Sequence, residues 1–144
     1  MGTHVQSKGG SGNQAGAVSV TFDNPPTPGN LILAFGNHGN RPGAFSSASG
    51  AFSPIFDAQF DNDEITWGEI RVAYRIAGAS ESSTIGYAVG TDTSARCLGI
   101  MEVANFADDW LARLVLQFSG EINAPGGSSS TMTVNYATTP TVDD

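Results

Sequence analysis

The sequence predicts an all-β protein folded as a two-sheet sandwich, jelly-roll or immunoglobulin-like, with eight or nine short strands. Two observations predict this fold. Apolar and polar residues alternate over several short segments, as they do in strands with one buried and one wet face. Gly, Pro, Asn, Asp, Ser and Thr cluster between these segments, where the chain must turn.

The N-terminal region contains the first two predicted strands. Thr3 to Ser7 alternates, the polar stretch KGGSGNQ follows, and residues 16–23 alternate again, with Val18, Val20 and Phe22 on one face. Because the first residues are polar and Gly-rich, we expect 1–12 to form an N-terminal arm. Residues 13–144 would then form a single sandwich domain.

The stretch NPPTPGNLILAFGNHGN contains the third strand. Pro25, Pro26 and Pro28 each fix φ and remove a backbone donor, so they indicate a turn or an edge. The apolar run Leu31 to Phe35 has the length and composition of a strand buried on both faces. Residues 36–40 return to turn chemistry.

The clearest alternation lies in WGEIRVAYRI, residues 67–76. One set of alternate residues is apolar, and the other is mainly charged. We expect Val72 and Tyr74 to be buried in the core, and Arg71 and Arg75 to be exposed or at an interface.

The remaining segments are less regular. Residues 41–54 are expected to form a long loop with one short strand near 51–56. The segment DWLARLVLQF, 109–118, fits both a helix face and a strand, and we favour a loop or one helical turn followed by a strand. Three further strands are predicted at residues 84–89, 96–105 and 130–136.

Composition limits the possible functions. A chain of 144 residues can bury a substantial core, and its one cysteine excludes an internal disulfide. We expect Cys97 to be a small buried hydrophobe. The net charge of -8, with Lys8 as the only lysine, argues against nucleic acid as a partner. No run of about 18 apolar residues and no signal pattern is present, so we expect neither a membrane span nor a secretion signal in this sequence.

No motif of a known catalytic or cofactor site is present, so we expect neither an enzyme nor a cofactor. A hydrolase would need a carboxylate pair such as Asp61 and Glu102 to converge. The acidic segment 57–64 lacks EF-hand spacing and its glycine, which favours a solvated loop over a Ca²⁺ site. His4 and His38 are better explained as solvated or hydrogen-bonded histidines than as a metal pair. No metal site is predicted.

Recognition is a simpler use for the polar faces and loops. Trp67 shares the alternation of Arg71 and Arg75, and Trp110 lies in a predicted loop, so either ring could contact a partner or stack on a glycan. The candidate binding residues are His38, Arg41, Trp67, Arg71, Arg75 and Trp110.

Four segments carry a resemblance to a known group of proteins. They are VQSKGGSG (5–12), PTPGNLILA (26–34), VAYRIAG (72–78) and IMEVAN (100–105). Together they resemble β-sandwich modules of tailed-phage virion proteins and bacterial surface proteins, over about residues 5 to 106. Small acidic proteins of this type are similar to capsid decoration, or cement, proteins.

The resemblance implies a non-enzymatic phage virion protein, made in the host cytoplasm without a signal peptide and located on the capsid surface. Its partners would be the major capsid protein and sister copies, in a homotrimer to which the N-terminal arm contributes. A tail or fibre receptor-binding module and a carbohydrate-binding module are the alternatives. Such modules usually continue past a segment like TTPTVDD (138–144) into another strand. Either the sandwich closes with fewer strands, or the sequence is a piece of a longer protein, or an edge is left for another chain to pair. Because the chain has a single lysine to protect its strand edges, we favour the last of these and expect a homo-oligomer.

Overall fold

The structure, a computed structural model, confirms the predicted all-β two-sheet sandwich. It describes residues 2–12, 17–38, 43–60, 68–88, 96–109, 111, 118–119 and 133–134. The eight strands of the sandwich are β1 (Thr3–Gly12), β2 (Ala17–Thr21), β3 (Leu31–His38), β4 (Ala44–Ser47), β5 (Ser53–Phe60), β6 (Gly68–Ile76), β7 (Thr84–Ala88) and β8 (Arg96–Ala104).

The strands form two antiparallel sheets. The larger sheet has the order β1-β8-β3-β6-β5, and the smaller has the order β2-β7-β4. The first strand thus pairs with the eighth, the second with the seventh and the third with the sixth. These are the pairings of an antiparallel ribbon rolled into two sheets, which is the jelly-roll alternative of the prediction. β5 extends the larger sheet by pairing with β6.

The chain divides into two compact units, Met1–Phe106 and Ala107–Asp144. The whole sandwich belongs to the first unit. In the second, β9 (Phe118–Ser119) and β10 (Thr133–Val134) form an antiparallel pair. β10 falls within the predicted strand 130–136, whereas most of the segment 109–118 lies outside the described residues.

Two segments take more regular structure than the sequence indicates. Within residues 1–12, the segment expected to form an arm, Thr3–Gly12 is strand β1, and all of its residues except Val5 pair with β8. The pairing shifts once, between His4 and Gln6. Ala44–Ser47 forms β4 inside the stretch 41–54, so the expectation of a loop there is wrong. Four residues paired to β7 are too few to show an alternation.

The core lies between the sheets, around Tyr87 of β7. Phe45 of β4 packs against this ring at a centroid distance of 5.0 Å. A Cβ at Gly36 would lie 2.6 Å from the ring, so a glycine is needed on β3 where the ring crosses it. Both sheets contribute to the buried cluster, which consists of Val20, Phe22, Ile32, Ala34, Ala77, Ile85, Tyr87, Leu98 and Ile100.

The faces of β6 are opposite to the prediction. In the register with β3, Arg75 pairs with Ile32 and Arg71 pairs with Gly36. Ile32 belongs to the core cluster, and cross-strand partners share a face, so both arginines lie on the inner face. The sequence predicts that they are exposed or at an interface. Exposure is wrong, since their side chains are only 24% and 16% exposed, whereas a contact with another chain stays a prediction. Val72 is buried as predicted, at 2% exposure, but on the outer face. Tyr74 is only half-buried.

Two more predictions about burial can be compared with the structure. The run Leu31 to Ala34 is buried at every residue, which confirms a strand covered on both faces. Cys97 is exposed, so its assignment as a buried hydrophobe is wrong. It pairs in register with Asn37, on the face of β8 opposite to the buried Leu98.

Candidate functional site

Buried charged residues lie at both ends of the larger sheet's inner face, with apolar residues between them. The end where β3 begins contains Glu102 and Arg75, and the end where β3 finishes contains His38, Glu69 and Arg96. Each buried carboxylate accepts hydrogen bonds from a connection between strands. The buried carboxylates therefore hold the connections in place through these hydrogen bonds.

Glu102 fastens the proline-rich connection between β2 and β3. Its Oε1 accepts hydrogen bonds from the Thr27 N–H at 2.8 Å and from Asn30 Nδ2 at 2.6 Å. Its Oε2 accepts one from Gln6 Nε2 at 2.5 Å. Burial alone would raise the pKa of Glu102, but these hydrogen bonds outweigh it and hold the pKa below its usual value. The carboxylate is fully buried, and both of its oxygens accept hydrogen bonds from the chain.

Glu81 holds the connection between β6 and β7 in place in the same way. Its Oε2 lies 3.2 Å from Arg75 Nε and accepts the Gly78 N–H at 3.0 Å. Arg75 also donates from Nη2 to the Ser49 carbonyl at 2.8 Å, which ties in the connection between β4 and β5. Ser49 in turn accepts the Ser82 N–H at 2.6 Å. Arg75 thus joins two connections of the sandwich.

Glu69 and Arg71 hold the start of β4 at the other end. Glu69 Oε2 accepts the Gly43 N–H at 2.7 Å and the Tyr87 hydroxyl at 3.2 Å. Arg71 donates to the Gly43 carbonyl, pairs with Asp57, and lies 3.2 Å from Glu69 Oε1. Both main-chain polar groups of Gly43 are therefore bound by side chains of β6.

The Glu69 carboxyl and the Tyr87 hydroxyl, which are hydrogen-bonded to each other, both have raised pKa values. Burial raises the pKa of Glu69, the Gly43 amide and Arg71 oppose the rise, and the nearby Asp57 adds to it. Burial also raises the pKa of Tyr87, and the charge of Glu69 contributes in the same direction. Tyr87 therefore remains a neutral hydrogen-bond donor.

The predicted site residues do not form one site in the described structure. His38 is buried at the end of β3, in register with Glu69. Arg71 and Arg75 lie on the same strand, but each is bound to a different connection. Arg41, Trp67 and Trp110 lie outside the described residues.

The predicted carboxylates are similarly divided. Within the acidic segment 57–64, Asp57 pairs with Arg71, whereas Asp61, Asp63 and Glu64 lie outside the described residues. Among the residues that are described, no group of three His, Cys, Asp or Glu could hold a metal ion.

The edge strand β1 is an exposed surface that contains none of the predicted site residues. It forms one edge of the larger sheet, and none of its ten residues is buried. Val5 is 45% exposed. Lys8 forms a salt bridge with Asp23, with 2.9 Å between Nζ and Oδ1. The sequence signal was the glycine-serine run KGGSG, which reads as a flexible connection but forms an edge strand with small side chains.

The opposite edge is protected. β5 contains Pro54, and its pairing with β6 shifts between Pro54 and Phe56. Proline and bulges are two of the devices that stop an edge from pairing with another chain. On β1 the only shift lies near its start, and Gln6 to Gly12 pair with β8 without interruption. Of the larger sheet's two edges, β1 is therefore the one that is open to a further strand within the described residues.

Comparison with known proteins adds no family. No family model matches the chain, and no curated protein and no solved structure matches it. Within the described part of the chain, no helix is long and apolar enough to cross a membrane.

Proposed function

We propose that this protein is a non-enzymatic virion protein, a capsid decoration protein that binds the outer shell of a phage and its own sister copies. The observation that carries the proposal is the exposed, regular edge of β1. Such an edge presents unpaired N–H and C=O groups, which bind an added strand from another chain. An assembly protein uses such an edge, whereas a monomer must protect it.

The resemblance to virion modules supports the same function. It extends over about residues 5 to 106, and the sandwich unit ends at Phe106. All four resembling segments therefore lie in this unit, and they contain parts of β1, β3, β6 and β8. These four strands are consecutive neighbours in the larger sheet, so the resemblance concerns the sheet that carries the open edge.

Glu102 weighs against the hydrolase alternative. That alternative pairs Glu102 with Asp61 as catalytic carboxylates. In the fold, both oxygens of Glu102 accept hydrogen bonds from the chain itself, and the side chain is closed to solvent. A catalytic carboxylate must reach its substrate, so Glu102 is better explained as a structural acceptor.

Particle binding tests the proposal directly. Purified protein is added to phage capsids that lack it, the particles are sedimented, and the bound copies are counted against coat subunits. Saturable binding at a fixed fraction of the coat subunits is expected for decoration. A few copies per particle would instead favour a tail or fibre module, and no binding would contradict a virion role.

A glycan panel separates the remaining alternative. A carbohydrate-binding module would bind bacterial surface polysaccharide, and Trp67→Ala or Trp110→Ala would weaken that binding. We expect no such binding to sugars. Measurable affinity for a polysaccharide, together with no affinity for capsids, would replace the proposed function.

A further inference from the structure

We propose that β1 pairs with β1 of a second copy, antiparallel and about a two-fold axis at Gly9, so that two five-stranded sheets become one continuous sheet. The proposal identifies a self-association surface and its partner. It rests on the contact between sister copies in the proposed function and gives that contact a surface and a symmetry. The contact would form in purified protein without any capsid, so a failure of this pairing can be distinguished from a failure of capsid binding.

The length and regularity of the edge are the first argument. From Gln6 to Gly12, every residue of β1 has a consecutive partner on β8. Such a segment keeps its outward backbone groups in one line, as strand addition requires. The bulge at Val5 limits the regular edge on one side, and Gly12 ends the strand on the other. Seven residues therefore remain for pairing.

The side chains of this segment are complementary to themselves. An antiparallel strand centred on Gly9 places each large side chain opposite a glycine and each serine opposite a serine. The opposed pairs are Gly9 with Gly9, Lys8 with Gly10, Ser7 with Ser11, and Gln6 with Gly12. Opposed residues share a face of the joined sheet, so this match reduces crowding on both faces.

Charge supports the same register. If the axis passed through Lys8, two lysines would lie directly opposite each other, which destabilises a strand pair. With the axis at Gly9, each lysine faces a glycine and keeps its own partner, Asp23, at 2.9 Å. Each copy has a formal net charge of -8, so added salt should strengthen the contact by screening the repulsion between copies.

The protected edge β5 argues against a ring in which the larger sheets join head to tail. A homotrimer, the assembly expected from the sequence, needs a head-to-tail contact in which β1 of one copy meets a different surface of the next. The other edge of the same sheet is β5, which has Pro54 and a bulge. Pairing β1 with its own equivalent avoids this edge and gives a two-fold dimer.

A charge exchange at two exposed serines tests the pairing. The double variant Ser7→Lys and Ser11→Lys places lysine opposite lysine twice, and we expect the dimer dissociation constant to rise about tenfold. The matched variant, Ser7→Lys with Ser11→Glu, places opposite charges across the same contacts and should restore dimerisation. Sedimentation equilibrium over a concentration series measures the dimer dissociation constant of each variant. Circular dichroism and thermal melting establish that each variant is folded.

Cysteine pairs test the register independently. The exposed Cys97 is first replaced by serine, to remove its own cross-linking. In that background, Ser7→Cys mixed with Ser11→Cys should form a disulfide-linked pair under mild oxidation, because these residues would lie opposite each other. Each variant alone should not, since identical positions would be offset by four residues, about 13 Å along the strand.

Gly9→Cys should link to itself at the axis. A Cβ at Gly9 would lie 3.6 Å from the Leu98 carbonyl oxygen, which is ordinary contact, so the substitution fits the fold. A wild-type protein that remains monomeric at all concentrations, or that forms trimers, would overturn the proposal. So would a folded lysine–glutamate variant that does not dimerise, or a Ser7→Cys variant that cross-links alone as readily as the mixture.

Discussion

Replacing Glu102 by alanine should destabilise the sandwich strongly, because a buried carboxylate there fastens the connection that leads into β3. The substitution leaves the Thr27 N–H and the Asn30 amide without their acceptor. The Gln6 amide is affected less, since its nitrogen also donates to the Asn24 carbonyl at 3.0 Å. The connection itself contains three prolines, so it cannot form strand pairs that would compensate.

The expected magnitude follows from these contacts. A hydrogen bond to a charged group contributes about 1.5 to 3 kcal/mol, and two such bonds lose their buried acceptor. We therefore expect Glu102→Ala to lower the free energy of unfolding by about 3 to 6 kcal/mol. Glu102→Gln keeps the shape and one acceptor oxygen, so it should lose about half as much. Asp23→Ala removes an ion pair whose side chains are 40% and 67% exposed, and should change stability by less than about 0.5 kcal/mol.

Urea denaturation at several pH values is the assay. Because the pKa of Glu102 is lowered in the folded state, its contribution is present above the usual glutamate value of 4.5 and is lost as pH falls through the lowered pKa. The difference in free energy of unfolding between wild type and Glu102→Ala should therefore become smaller at acid pH. A gap below about 1 kcal/mol at neutral pH, or one that does not change with pH, would refute the reasoning.

Three further perturbations test other parts of the fold. Gly36→Ala should cost about 1 to 3 kcal/mol, because its Cβ would lie 2.6 Å from the Tyr87 ring, whereas Gly9→Ala should be nearly neutral in the same denaturation series. Glu69 has a raised pKa, so the folded state keeps its proton longer than the unfolded state, and wild-type stability should fall as pH rises from 4.5 through that pKa. Glu69→Gln should remove this decline, and an unchanged pH profile would contradict the assignment. Val72→Asp should lower stability by roughly 3 kcal/mol or more, since Val72 is 2% exposed, and a variant that melts like the parent would show that the site is not buried.

The fold class could be predicted because strand alternation and turn residues are local properties. The run Leu31 to Ala34 shows this most simply, since four consecutive apolar residues between turn signals require a strand with both faces covered. β4 could not be found in the same way. Its four residues, Ala44 to Ser47, are stabilised by pairing with β7, which lies about forty residues further along the chain.

The inward face of β6 could not be predicted, because alternation separates two faces without showing which one is buried. Here both faces are largely covered, since Val72 on the outer face and Ala73 on the inner face are buried. The arginines face inward because their partners are there: the Gly43 carbonyl for Arg71, and the Ser49 carbonyl for Arg75. These two partners are main-chain groups of connections, and the carboxylates that also pair with the arginines lie on other parts of the chain or on the same face of β6, so no residue pattern indicates where they lie.

The glycines of β1 explain why a glycine-serine run that indicates an arm forms a strand. A Cβ at Gly10 would lie 3.0 Å from Val20 Cγ2, so this inward-facing glycine lets β2 pack closely over β1. Gly9 faces outward, has no such neighbour, and leaves the edge bare. The same run of small residues thus lets β2 pack closely on one face of β1 and leaves the edge of β1 exposed for pairing. Deleting residues 1–12 would remove both features together, and the sheet would lose a strand that pairs with β8. Charged substitutions at the exposed Ser7 and Ser11 change the edge and leave β1 in the sheet. They therefore separate association from folding better than the deletion does.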